Sequence, residues 1–235
     1  MGFEIKVVET SKDLKDFIQV PWNLYQKDPL WVPPIRLSVA EFFKSKHPFH
    51  KQAKMKSWVA YVNNIPMGRI SAIVNFAYNK FHGEKCGFFG FYEAPQENII
   101  SRKLQCLAEE FVKEKEMEKI IGPVNPSTNY ECGFLIEGWN DPPQIMMPYN
   151  PPHYIQDFEE NHYTKAKDLL AYSMSMDFQM PEKIKRIASR AEKSKRIRYR
   201  QINIKKWNEE IDLMYEIYNS AWEKNWGFVP MAKDE

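Results

Sequence analysis

Glu93 closes the run Cys86-Gly-Phe-Phe-Gly-Phe-Tyr-Glu93, and Asn125, Ser127, Thr128 and Asn129 follow the run Ile120-Ile-Gly-Pro-Val. A carboxylate at a strand end can take a proton from an amine, directly or through water, once burial raises its pKa. Amides and hydroxyls in a turn can hold a ligand, or they can simply cap the turn. Both runs are short and apolar, as buried strands are. Between them Ile100, Leu104, Leu107 and Phe111 recur at helical spacing, with Glu and Lys on the opposite face. Strand, helix and strand make a βαβ unit, and such units place ligands at the carboxyl ends of their strands. The spacing therefore predicts a functional cleft at that edge.

The remaining elements must carry this edge. Residues 3–8 alternate as a first strand, and Thr10-Ser-Lys-Asp13 fits a capping box ahead of Leu14, Phe17, Ile18 and Tyr25. Residues 21–56, rich in Pro, Trp and Phe, are too apolar for a linker and predict short helices over the core. Residues 57–62 and 68–74 flank Asn63-Asn-Ile-Pro66 and predict an antiparallel hairpin. A short helix is expected over residues 151–161 and a long strand over 164–176. A basic helix follows over 181–195, then a strand over 196–204 and a helix over 209–223. The last two elements repeat the strand-then-helix order of the N-terminus, which suggests an internal repeat. The expected division is a first module over residues 1–177, a basic helical linker over 178–196 and an incomplete second module over 197–235.

Composition narrows the class. No run of about 18 apolar residues exists, so no transmembrane helix is expected. Cys86, Cys106 and Cys132 are odd in number and lack paired spacing, which points to reduced thiols and a cytoplasmic setting. Cys132 has no evident His partner and reads as a small buried hydrophobe. The histidines are scattered without a Cys or acidic cluster, so no metal is expected. Residues 183–200 hold nine basic residues against one acid, yet net charge is only +2. One charged helix without a binding motif reads as a solvated face, so neither nucleic acid nor membrane is expected as a partner.

The element order resembles the GNAT superfamily of acyl-CoA N-acyltransferases, and within it a bacterial subfamily of two-module acetyltransferases. The resemblance rests on Pro29-Leu-Trp-Val-Pro-Pro34, Phe81-His-Gly-Glu84, Gly87-Phe-Phe-Gly-Phe-Tyr-Glu93 and Gly122-Pro-Val-Asn-Pro-Ser-Thr-Asn129. It extends through Glu131-Cys-Gly133, Met147-Pro-Tyr-Asn-Pro-Pro152, Lys165-Ala-Lys-Asp-Leu-Leu-Ala-Tyr172 and Asn225-Trp-Gly-Phe-Val-Pro230. It implies an α/β mixed sheet of GNAT type, followed by the start of a second similar module.

The resemblance also implies acetyl-CoA, or another acyl-CoA, as cosubstrate and a small-molecule or peptide amine as acceptor. Pairing with another copy or with the second module is left open. It places the cofactor on the strand around Phe91 and Tyr92, on the following turn at Gln96 and Asn98, and on Asn125, Ser127, Thr128 and Asn150. Glu93 becomes the general base, and a β-strand N–H stabilises the oxyanion. Two departures follow. The turn Ala94-Pro-Gln-Glu-Asn98 lacks the glycines that cradle a pyrophosphate, Pro95 removes a donor, and Glu97 opposes the charge. Phe158 stands where the family keeps a tyrosine acid, which leaves Tyr154, one turn earlier, as the substitute or as a packing residue. Cofactor binding by this module is therefore expected to be degenerate and this stretch alone inactive, with the second module carrying acyl-CoA. A non-catalytic ligand-binding or docking module, and an aminoacyl-tRNA-dependent transferase, are the rival classes.

Overall fold

The computed structural model describes residues 2–96, 98–194 and 198–233. Thr10 caps α1 (Ser11–Leu24) as its sequence predicts, accepting from the Asp13 N–H at 3.2 Å while Asp13 accepts from the Thr10 N–H at 2.8 Å. Before it runs β1 (Phe3–Val7); after it come α2 (Arg36–Glu41) and a 3-10 turn at Pro48–Lys51. These are the short helices expected over residues 21–56. The hairpin is β2 (Ala53–Val62) and β3 (Ile65–Asn75), turning on Asn63 and Asn64 with positive φ, a conformation asparagine tolerates. Next come α3 (Phe76–His82), β4 (Cys86–Glu93), α4 (Asn98–Glu114) and β5 (Lys119–Ile121).

These strands form one mixed sheet in the order β1-β2-β3-β4-β5. All pairs are antiparallel except β4 and β5, which run parallel through Cys86–Lys119, Gly87–Ile120 and Phe88–Ile121. The expected βαβ unit is therefore present. Ile100, Leu104, Ala108 and Phe111 of α4 bury against Trp58, Ile70, Ala72, Phe89 and Tyr92 on one sheet face. Phe17, Ile18 and Val20 of α1 cover Val59 and Phe91 on the other. Both faces are covered, which is why β4 reads as an unbroken apolar run.

After Phe88 the parallel ladder stops. The chain beyond β5 forms a ribbon of its own, β6 (Val124–Asn125) against β7 (Glu131–Cys132), with Asn125 paired to Glu131. It lies hard against β4: a Cβ on Gly90 would collide with the Val124 carbonyl, so only glycine fits there. α5 (His153–Glu160) packs Tyr154 and Phe158 into the α4-side core.

The first compact unit runs from the N-terminus to Ala166 and includes the tail from Asn219 onward. This differs from the expected boundary, because the tail was assigned to a second module. Phe228 and Val229 are buried, and Val229 packs with Phe88, Val124 and Tyr78. The second unit, residues 167–218, contains α6 (Glu182–Glu192) and most of α7 (Trp207–Trp222). The strand expected over 164–176 is not formed: residues 164–175 carry no regular structure, and Tyr172, Met174 and Met176 are exposed. A strand needs a neighbour to complete its hydrogen bonds, and alternation alone does not supply one. Of the strand expected over 196–204, residues 196 and 197 lie outside the described residues, and 198–203 are likewise irregular. Among the described residues no helix is long and apolar enough to cross a membrane, and no cluster of potential metal ligands is present.

Candidate active site at the carboxyl edge of the sheet

Glu93 ends β4 and is only 8% exposed. A buried carboxylate requires partners, and three side chains provide them. Tyr25, at the C-terminal cap of α1, donates its hydroxyl to Glu93 Oε2 at 2.5 Å. Tyr154 of α5 donates to the same oxygen at 2.8 Å, and its own oxygen accepts the Ala94 N–H at 2.9 Å. Arg69 of β3 sits opposite Glu93 in the ladder, with Nη2 at 3.4 Å from Oε1. Arg69 is itself buried, lies over the Phe17 ring and leaves its Nε without a partner among the described residues. Trp31 and Tyr149 flank the Tyr25 ring, and Tyr149 donates to Asp28 at 2.5 Å. Through Trp31, the Pro29–Pro34 stretch thus packs against the tyrosine that holds the carboxylate.

Burial pushes the Glu93 carboxyl above the usual range, against the pull of Arg69 and the two tyrosines. Burial likewise lifts Tyr25 and Tyr154 well above the ordinary phenol value. The native state therefore holds the Glu93 proton more firmly than the unfolded chain does. The stability this contributes is complete below the ordinary glutamate pKa and is lost as pH rises through the raised one. Denaturant melts of wild type and Glu93→Gln over pH 4–8 should show wild type losing stability relative to the variant as pH rises. Parallel curves would show that the Glu93 titration does not differ between the folded and unfolded states.

A second carboxylate, Glu131, is tied to the same strand end through Asn125. β4 bulges where Ile70 faces both Phe91 and Tyr92, since Arg69 pairs with Glu93 and Ser71 with Gly90. Phe91 carries φ +49°, a conformation that costs a non-glycine residue about 1–3 kcal/mol. The bulge turns the Phe91 N–H out of the ladder and onto Asn125 Oδ1 at 2.5 Å. Asn125 Nδ2 in turn donates to Glu131 Oε1 at 3.0 Å. Glu131 is half-buried, and burial followed by the nearby Glu93 charge raises its carboxyl. Two carboxylates, one amide and one strained backbone N–H converge here.

The other residues singled out in the sequence have different tasks. Tyr154 is 1% exposed, and its hydroxyl donates to Glu93 and accepts the Ala94 N–H, so it positions the carboxylate. Phe158 stacks on Phe89 with ring centres 4.8 Å apart, a core role. Tyr92 is buried, its hydroxyl on Ser101 at 2.7 Å. Asn150, expected at the cofactor, instead staples the preceding loop: it accepts from Leu135 N–H at 2.6 Å and donates to the Leu135 and Pro151 carbonyls. Ser127 accepts the Asn129 N–H as a turn cap. Thr128 donates to the Gly227 carbonyl, and Asn129 donates to the Val229 carbonyl at 3.3 Å. His82 adds a bond to the Phe228 carbonyl at 2.8 Å. These side chains hold the chain's own tail where a ligand was expected. Gln96 and Asn98 are exposed, Asn98 donates to Glu160, and Glu97 lies outside the described residues.

Sequence reasoning missed Tyr25, Arg69 and Glu131. Arg69 left a signal, the one charged residue in the largely apolar run Gly68–Val74. Tyr25 left none, because it meets Glu93 from 68 positions away.

No family model matches the chain. It is 34% identical to Protein YghO of Escherichia coli K12 over 232 residues, and 31% identical to Bacterial ceramide synthase of Caulobacter vibrioides over 230 residues. Those alignments cover 98% and 97% of this chain but 59% and 60% of the relatives, so the chain spans about three fifths of their length. Among solved structures, an aminoglycoside acetyltransferase from an uncultured soil metagenomic sample is similar with TM-score 0.42 and 13% identity, over 74% of this chain and 95% of that one. A transcriptional regulator from Bacillus halodurans is similar with TM-score 0.45 and 15% identity, over 74% of this chain and 100% of that one. The chain is thus similar over nearly its whole length to two bacterial proteins, and its own sheet is the mixed α/β sheet expected from its sequence, with β4 and β5 parallel and parting after Phe88.

Proposed function

We propose that this chain carries the acyl-transfer edge of an acyl-CoA-dependent N-acyltransferase. The observation that carries the reading is Glu93, positioned by Tyr25, Tyr154 and Arg69 and kept protonatable by its burial, at the carboxyl end of the strand that parts from its parallel neighbour. An amine attacks the thioester carbonyl, the carbon–nitrogen bond forms, and the carbon–sulfur bond breaks to release CoA. The ammonium proton passes to Glu93 directly or through one water, which its raised pKa favours. The β4 backbone N–H at Phe91 is the donor aimed at the developing oxyanion.

The relative named for ceramide synthesis supports a more specific acceptor. Ceramide is an N-acylated long-chain amino alcohol, so that name describes formation of the same bond on an amphiphilic amine. We take such an amine as the first substrate to test. The three free thiols fit a cytoplasmic setting.

The turn before α4 offers a pyrophosphate little: Pro95 lacks an N–H, and the Asn98 side chain is engaged by Glu160. Calorimetric titration of this chain with acetyl-CoA should therefore give weak binding, with a dissociation constant far above the micromolar range. A dissociation constant near one micromolar, about −8 kcal/mol, would overturn the weak-cradle reading. One observation favours the rival, a non-catalytic docking module: Thr128 and Asn129 already hold the tail. Release of CoA thiol on adding an amine separates the two, because a docking module releases none.

A further inference from the structure

The Phe91 N–H is already occupied. Asn125 Oδ1 accepts from it at 2.5 Å, and an amide oxygen is close in size and polarity to a thioester carbonyl. The contact is built rather than incidental. The bulge at Phe91 turns this amide out of the sheet at the expense of a left-handed φ. Gly90 lets the Val124 carbonyl approach β4, which brings Asn125 into reach. Glu131, paired with Asn125 across the β6–β7 ribbon, accepts the other end of the amide and fixes its orientation.

We infer that Asn125 is a stand-in for the acyl carbonyl: its side chain holds the Phe91 N–H in the resting protein and yields it to the incoming acyl group. Glu131 is the positioning residue that keeps Asn125 in place. The inference rests on the acyl-transfer reading and adds a determinant of acyl-group binding to it. Displacement exchanges one neutral hydrogen bond for another, so the strained amide is never left bare, and an unsatisfied buried N–H is the costly alternative. Asn125 sits in the two-residue strand β6, outside the five-stranded sheet, so its side chain can turn without breaking a ladder of that sheet.

The test uses an acyl-CoA analogue in which a methylene replaces the thioester sulfur, so that the carbonyl persists as a ketone. Its binding, and that of CoA itself, is followed by NMR titration of the Phe91 amide in the full chain at up to millimolar ligand. Asn125→Ala should bind the ketone about fivefold more tightly, the size of one neutral hydrogen bond, and leave CoA affinity unchanged. Asn125→Asp, which keeps an oxygen on the N–H and adds charge, should weaken the ketone and spare CoA. Should Asn125→Ala unfold, Asn125→Ser, too short to span the gap, carries the same expectation. In wild type the Phe91 resonance should move with the ketone and stay still with CoA. Weaker or unchanged ketone binding in Asn125→Ala, with CoA still bound, overturns the stand-in alone. Absence of any ketone or CoA binding in wild type and variants overturns the acyl-CoA reading, and the inference with it.

Discussion

Glu93→Gln is expected to lower acyl transfer by the protein ~10²–10⁴-fold, the usual contribution of a positioned base. The substitution keeps the shape of the side chain and an oxygen for Arg69 or the tyrosines, while removing the group that titrates. The loss should fall on turnover with little change in substrate affinity, because the carboxylate is 8% exposed and walled by tyrosines. A change smaller than about threefold would remove Glu93 from the mechanism. Phe158→Ala separates chemistry from folding. Phe158 stacks on Phe89 and makes no hydrogen bond to Glu93, so its truncation should cost about 3–5 kcal/mol of stability and leave the turnover of the folded fraction intact.

Removing the tail from Asn219 onward is the second large change. Sequence reasoning expects residues 197–235 to be less protected in hydrogen exchange than residues 85–124, and the chain after Met180 to be dispensable to the first module, since the apolar face of the helix over 209–223 lacks a sheet. The structure replaces that expectation for the final segment. Phe228 and Val229 are buried, and their carbonyls, with that of Gly227, are held by His82, Asn129 and Thr128. At ~1.5–3 kcal/mol for each large apolar side chain, deletion should cost about 3–6 kcal/mol. At roughly 2–4 °C per kcal/mol for a domain of this size, calorimetry should record a markedly lower Tm. An unchanged Tm would mean that the tail contributes no net stability to this unit. Hydrogen exchange localises the loss: the amides of β4 and α3 should be deprotected first.

The sequence made the frame legible because local rules decide it. Alternation marked β2 and β3, the four-three-four spacing marked α4, and Thr10 with Asp13 marked the start of α1. Glu93 and Asn125 were visible as polar side chains at strand ends. The contacts of Glu93 were not, because Tyr25, Arg69 and Tyr154 reach it over 68, 24 and 61 positions. No spacing rule encodes such encounters. The residues 164–176 show the converse failure: Leu170, Tyr172, Met174 and Met176 alternate as strand residues should, yet the segment has no ladder to join. Ser127, Thr128 and Asn129 were read as ligand groups on their chemistry, and that chemistry is real. Their present partners are the Asn129 N–H and the backbone carbonyls of Gly227 and Val229.

The most direct test is to look for the amide. The protein is incubated with an acyl-CoA and a long-chain amino alcohol, and the products are analysed by mass spectrometry alongside a thiol assay for free CoA. Amide and thiol should appear in equal amounts with wild type and fall together in Glu93→Gln. Thiol release without amide, or amide formed equally by Glu93→Gln, would contradict acyl transfer at this edge of the sheet.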